Sequence, residues 1–175
     1  MKMTPARLAW VALAISLGWC ALAAAAPLLQ EHGNPAGAMA IRLLQSPACH
    51  QTAERSFHLA GHPMTLCARC TGLAAGFAAG AGWLLLWCQS RPQTPPFPSR
   101  RLLAWAALPA AVEWVFEVTG LTPPAAPVRA AAAAALGFAI SLFFVPALFE
   151  MCGIVNDAIR RRTAPREPTH AAGSG

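Results

Sequence analysis

Four long runs of apolar residues divide the chain, at roughly 7–28, 71–89, 102–120 and 128–150. Each is close to the ~20 residues that an α-helix needs to cross the hydrocarbon core of a bilayer. The segments between them differ in character. Glu31 to Gly37 is polar and rich in helix breakers, which predicts a turn. Residues 38–46, "AMAIRLLQS", predict a short surface helix. Residues 90–101, "SRPQTPPFPSRR", hold four prolines and predict an irregular loop, and 121–127, "LTPPAAP", predicts a short proline turn. There is no internal repeat. The pattern predicts an all-α polytopic membrane bundle of about four transmembrane helices. The whole of 1–175 forms one membrane domain, with an external loop at 29–70 and a basic cytoplasmic tail at 151–175.

Composition strengthens the membrane reading. The chain is 56% hydrophobic and 11% charged, against about 25% charged in a typical soluble domain. A soluble fold of 175 residues has too few charges here to cover so much apolar surface. The lipid bilayer is therefore the expected partner. A net charge of +6 raises nucleic acid as another, but the basic residues are scattered at the ends of the apolar runs, where membrane topology places them. No nucleic-acid partner is expected. With the N-terminus inside, nine basic residues (Lys2, Arg7, Arg91, Arg100, Arg101, Arg160, Arg161, Arg162 and Arg166) are cytoplasmic and four (Arg42, Arg55, Arg69 and Arg129) are external. That imbalance favours this orientation. A bacterial-type plasma membrane is expected, with both termini cytoplasmic if the first span is retained. The first run has a basic start, an apolar core and an Ala-rich end, so it reads either as a retained helix or as a cleavable secretory signal. Cys20 follows the bulky Trp19, which argues against a lipoprotein cysteine.

The second run carries Gly72, Gly76 and Gly80 at four-residue spacing. They share one helix face and predict close approach of another backbone. The smooth stretch "RAAAAAALG" opening the fourth run is the candidate partner.

Chemically capable side chains concentrate in "CHQTAERSFHLAGHPMTLCARCTG", residues 49–72, with three of the six cysteines and three of the five histidines. Cys67 and Cys70 form a C-x-x-C pair whose sulfurs share a helix face. With Cys49 and His50 they make a Cys3His set, a tetrahedral zinc combination. Zinc or another transition metal is the expected cofactor, and His58 and His62 are spare candidates. The spacing matches no standard zinc finger, and Thr71 stands where a c-type haem attachment needs His. The same thiols also allow a membrane thiol–disulfide oxidoreductase, quinone-linked or not, because a helix N-terminus and Arg69 stabilise a thiolate. A third reading is a structural or assembly protein with a static disulfide. Cys20, Cys88 and Cys152 lie in or near spans and read as small buried apolar residues.

The third run holds Glu113 and Glu117, four apart and on one face. A carboxylate at membrane depth marks a functional site or a buried ion pair. Glu113 would lie roughly 10 Å below Gly120 at 1.5 Å per residue, in the same leaflet as Cys67 and Cys70. Arg129 can pair with either acid. One reading is a structural Glu117–Arg129 bridge. The other is an external cavity of thiols, imidazoles and carboxylates, in which Glu113 relays protons or completes a metal shell. Arg55, His58, Glu113, Glu117 and Arg129 are therefore candidate supporting residues.

These residues resemble the domain of unknown function 2085 family of small multi-spanning membrane proteins. The family pattern runs Cys-His-Gln, Arg-Ser-Phe, a Gly, then Cys-Ala-Arg-Cys-Thr-Gly at the start of a span. Here these are Cys49, His50, Gln51, Arg55, Ser56, Phe57, Gly61 and Cys67 through Gly72. The strict match covers about 24 residues, and a looser one 45–140. The resemblance implies an acid in the next span and an Arg before the following one, places that Glu113 and Arg129 fill. It departs at "LTPPAAPV", where a polar Ser/Asn-rich turn is expected. The resemblance carries no settled activity.

Overall fold

The computed structural model describes residues 4–91, 97–120 and 125–163, with side chains through 154. Most of the proline loop (92–96), the first part of the proline turn (121–124) and the tail beyond 163 lie outside the described residues. Five α-helices and one short β-hairpin follow in chain order.

Helix α1 runs from Pro5 to Glu31. Thr4 caps it by accepting the Arg7 N–H at 3.3 Å, and Pro5 occupies the first turn. A short turn follows, with Gly33 at φ +74°. Helix α2, Pro35–Gln45, begins inside the stretch that predicted a turn. The reason is local. Asn34 accepts the Gly37 N–H at 2.9 Å and Pro35 supplies a preset φ, so Asn-Pro acts here as cap and first residue rather than as a breaker.

The segment between α2 and the next long helix contains a hairpin that the apolar pattern did not announce. Ala53–Arg55 forms a single 3₁₀ turn, then β1 (Ser56–Leu59) pairs antiparallel with β2 (His62–Cys67). Leu59 pairs with His62, which leaves Ala60 and Gly61 as a two-residue turn at φ +52° and +77°. Two positive φ values match a type I′ turn. Ser56 pairs with Cys67, and the register slips between Ser56 and His58. This pairing carries Cys67 to the start of α3 (Ala68–Ser90).

Helix α3 packs most intimately on α5 (Ala126–Thr163), along the predicted glycine face. A Cβ added at Gly72 would stand 2.7 Å from Ala130 Cα, and one at Gly76 would stand 2.7 Å from Ala134 Cα. Gly137 presents the reciprocal close contact, to the Leu73 backbone of α3. The smooth opening of α5 is thus the partner surface. Phe77 and Phe144 meet edge-to-face at 5.9 Å further along the pair. Leu8 and Ala9 of α1 close a core with Leu84, Leu85 and Val145.

Among the described residues, three helices are long and apolar enough to cross a membrane: α1, α3, and α5 over Ala126–Ile154. The fourth expected crossing, α4 (Arg100–Val118), has 19 residues, but Arg100, Arg101, Glu113 and Glu117 set its composition apart. Helix α5 also exceeds expectation. It continues to Thr163, where a tail was predicted from 151. Its 38 residues span about 57 Å at 1.5 Å each, nearly twice the hydrocarbon thickness.

Candidate metal centre and its ion cluster

The three cysteines of the Cys/His stretch meet. The sulfurs of Cys49, Cys67 and Cys70 all lie within 4.8 Å of one another. Cys49 follows α2 and is buried against Ala23 of α1 and Leu66 of β2. Cys67 is the N-cap of α3, with extended backbone, and Cys70 is in its first turn. Cap and third helical residue face each other across that turn, so the C-x-x-C spacing works although Cys67 is not itself helical.

Two backbone N–H groups are directed at Cys49. Its sulfur accepts the Gln51 N–H at 3.5 Å and the Cys67 N–H at 3.3 Å. Gln51 aims its N–H there by adopting φ +54°, a left-handed conformation uncommon outside glycine. The thiol of Cys67 is pulled down to about 5, first by its hydrogen bond with the Cys70 thiol, against burial, which opposes ionisation. All six cysteines are free thiols.

A second polar assembly sits beside the thiols. Glu113 of α4 is buried at 5% exposure and takes a two-pronged contact from Arg69: Nε to Oε2 at 2.5 Å and an Nη to Oε1 at 2.7 Å. Arg129 approaches the same carboxylate, Nε to Oε1 at 3.2 Å, close enough for charge pairing. Its Nε–H is nevertheless not aligned for a hydrogen bond, and this buried nitrogen makes none. Glu117 pairs with Arg69 and with Arg55. The acids therefore hold arginines. The expected Glu117–Arg129 bridge gives way to Glu113–Arg129. Glu113, with both oxygens engaged by guanidinium groups, is not part of the sulfur cluster.

Thiols and arginines share one pocket of about 450 Å³. Its walls include the three cysteines, Arg55, Arg69 and Arg129. His50 is exposed and lines this pocket, without joining the sulfur group. His58, exposed on β1, and His62, at the far end of the hairpin, belong neither to the sulfur group nor to the pocket wall among the described residues.

Sequence reasoning assigned Arg69 to the thiols and missed its role as the principal partner of both acids. The available signal was that two acids at membrane depth demand more than one cation. It also missed the polar strut that seats the hairpin. Gln45, fully buried, donates to the Trp19 carbonyl at 2.9 Å and accepts from the buried Thr65 hydroxyl. Arg42 and Gln51 extend it, with bonds to Pro63 O at 3.2 Å and Arg42 O at 2.7 Å.

The fold and site together define a helical membrane protein with a thiol cluster and an arginine pocket at one end of its bundle. The family model of predicted membrane proteins known as domain of unknown function 2085 matches residues 49–143, more than half of the chain. The chain belongs to this family. It is also 30% identical over 103 residues to an uncharacterized protein of Methanocaldococcus jannaschii, a match covering 59% of this chain. The match spans 65% of that relative's length. No solved structure matches the chain.

Proposed function

We propose that this membrane protein holds a transition-metal ion, zinc first among the candidates, through Cys49, Cys67 and Cys70, with His50 as the fourth ligand. The proximity of the three sulfurs carries the reading. Sulfurs around a zinc ion at about 2.3 Å from each would stand nearly 4 Å apart, so a modest contraction of the cluster accommodates one. Charge supports it as well. Arg55, Arg69 and Arg129 against Glu113 and Glu117 leave one positive charge. A divalent ion with three thiolates carries one negative charge, and the two neutralise each other in a partly dehydrated setting.

Helix α4 is the fourth crossing in this reading, despite its charges. Glu113 and Glu117 reach Arg69 at the start of α3 and Arg129 near the start of α5. The chain leaves the opposite end of α3, so α4 has to travel back across the bundle, and its 19 residues cover about 28 Å. The distribution of basic residues puts the thiol end outside and both termini inside. Packing of Leu8, Ala9 and Ala23 into the core supports a retained first helix.

Elemental analysis of the purified protein, paired with thiol counting before and after reduction, tests the metal site. One equivalent of zinc that disappears in Cys49→Ser supports it. A second reading, thiol–disulfide exchange, draws on the depressed Cys67 thiol beside Cys70. It predicts no metal and a Cys67–Cys70 bond that opens under mild reductant. A disulfide resisting reduction would instead support a static structural role.

A further inference from the structure

The arginine pocket adjoins a second cavity of opposite character. This cleft of about 260 Å³ lies between α1 and α3, walled by Ile15 and Trp19 on one side and by Leu73, Ala74 and Phe77 on the other. Ala48 and Cys70 border both cavities, and the Cys70 sulfur contacts the Ala48 carbonyl at 3.9 Å where they meet. From Cys70 to Phe77 the cleft descends along α3 for about 10 Å. Ile15, on its wall, is 65% exposed, so the cleft opens on the apolar perimeter of the bundle.

The upper cavity asks for an anion. Three arginines line it, opposed by two glutamates. The Arg129 side chain is 7% exposed, and its Nε is ion-paired with Glu113 Oε1 at 3.2 Å without making a hydrogen bond. Three guanidinium groups against two carboxylates leave one positive charge in the cavity wall, which an oxyanion would balance. Arg69 and Arg129 stand in the first turns of α3 and α5. The cation set thus lies at the end of the spans, where headgroups reside, and the cleft runs inward from it. Basic pockets between spans are suited to anionic headgroups.

We infer that the two cavities form one site for an amphiphile, with an anionic, oxygen-rich head among Arg55 and Arg129 and a hydrocarbon chain in the α1–α3 cleft. The head is recognised by charge and hydrogen bonding, the chain by burial of apolar area. The arginines supply the attraction, so the site does not depend on a bound metal ion.

The test uses the full chain in phosphatidylcholine nanodiscs, with calorimetric titrations corrected against empty discs. Dodecyl phosphate has head and chain, inorganic phosphate has the head alone, and dodecanol has the chain alone. Dodecyl phosphate is expected to bind one saturable site at least tenfold more tightly than either part. Arg55→Gln, at a half-exposed position, is expected to weaken dodecyl phosphate at least threefold and to leave dodecanol unchanged. Ala74→Leu is expected to weaken dodecyl phosphate and to leave inorganic phosphate unchanged. Chelator-treated protein, freed of the anionic metal–thiolate group, is expected to bind no more weakly than before, so an absence of metal would sink the metal reading without touching this one. Equal affinity for inorganic phosphate would reduce the site to a soluble-oxyanion pocket and overturn the inference. So would equal affinity for dodecanol, loss of binding on chelation, or no saturable binding at all.

Discussion

Replacing Gly76 by alanine adds a single methyl group in the close backbone seam between α3 and α5. That carbon would stand 2.7 Å from both Cα and C of Ala134, with the Ala134 carbonyl oxygen closer still. Carbon atoms pack at about 3.5–4.0 Å, so α3 and α5 would have to part by about 1 Å. The neighbouring contacts at Gly72 and Gly137 are just as close, and all would loosen together. Overpacking of this kind costs about 1–3 kcal/mol. Alanine also favours the helix over glycine by about 1 kcal/mol, which masks part of the loss. Gly82→Ala provides the control. It lies in the same helix and gains the same propensity, yet its added carbon would meet only Leu13 Cδ1, at 4.0 Å. The difference between the two variants therefore isolates the helix contact and should amount to about 1–3 kcal/mol. Reversible unfolding in mixed micelles, followed by far-ultraviolet circular dichroism, measures it. Gly76→Leu should go further and prevent α3–α5 association. Equal stability of Gly76→Ala and Gly82→Ala, or an unaffected Gly76→Leu, would refute the close-packing argument.

Glu113→Gln removes the acid that holds two arginines and should destabilise the fold by about 3–5 kcal/mol, as breaking a buried pair does. Glu117→Gln should cost less, because its carboxylate is more exposed and Arg55 beside it is half in solvent, and the same unfolding assay compares them. In metal-free protein, Cys67 should be alkylated by iodoacetamide at a rate nearly constant above pH 6 and falling about tenfold per unit below 5. Its folded-state pKa lies below the ordinary thiol value, so its contribution to stability is complete above the ordinary value of about 8.5 and fades as pH falls towards 5. Cys70→Ala removes the hydrogen bond that lowers this thiol, and should move the alkylation profile to higher pH. Gln45→Ala leaves Trp19 O and the Thr65 hydroxyl unpaired in the interior. It should cost about 1–3 kcal/mol and speed hydrogen exchange across β1 and β2.

Period and composition made the helices legible, because a bilayer leaves few choices for the backbone. The α3–α5 seam was legible for the same reason: Gly72, Gly76 and Gly80 leave a smooth groove, and the equally smooth run 129–137 fills it. The hairpin was not. Its turn is Ala60-Gly61 rather than Asn-Gly, and Pro63 interrupts the second strand, so neither strong local sign was present. The start of α2 was hidden in the opposite way, because Asn34 and Pro35 serve equally in turns and at helix starts. Cys49, Cys67 and Cys70 were legible as a set by type alone. How Cys49 is held was not, since it depends on the left-handed Gln51 and on an N–H from 18 residues downstream.

Arg69 shows why the thiols and the acids are best understood as one device. In the sequence it stands between Cys67 and Cys70, and proximity alone assigned it to them. On the first turn of α3, however, its side chain reaches α4 and grips Glu113 and Glu117. The same turn that presents two sulfurs to Cys49 is therefore bolted to α4 through the residue between them. Arg129 approaches Glu113 from α5 and brings the third helix to the same point. A shift of α4 along its axis would pull on Arg69 and move Cys70 relative to Cys49, because the intervening backbone is a single helical turn. Glu113 is thus linked to the sulfur-bearing turn through Arg69 without belonging to the sulfur cluster. Its loss should alter thiol reactivity as well as stability, whereas Glu54, exposed on the 3₁₀ turn, should affect neither when neutralised.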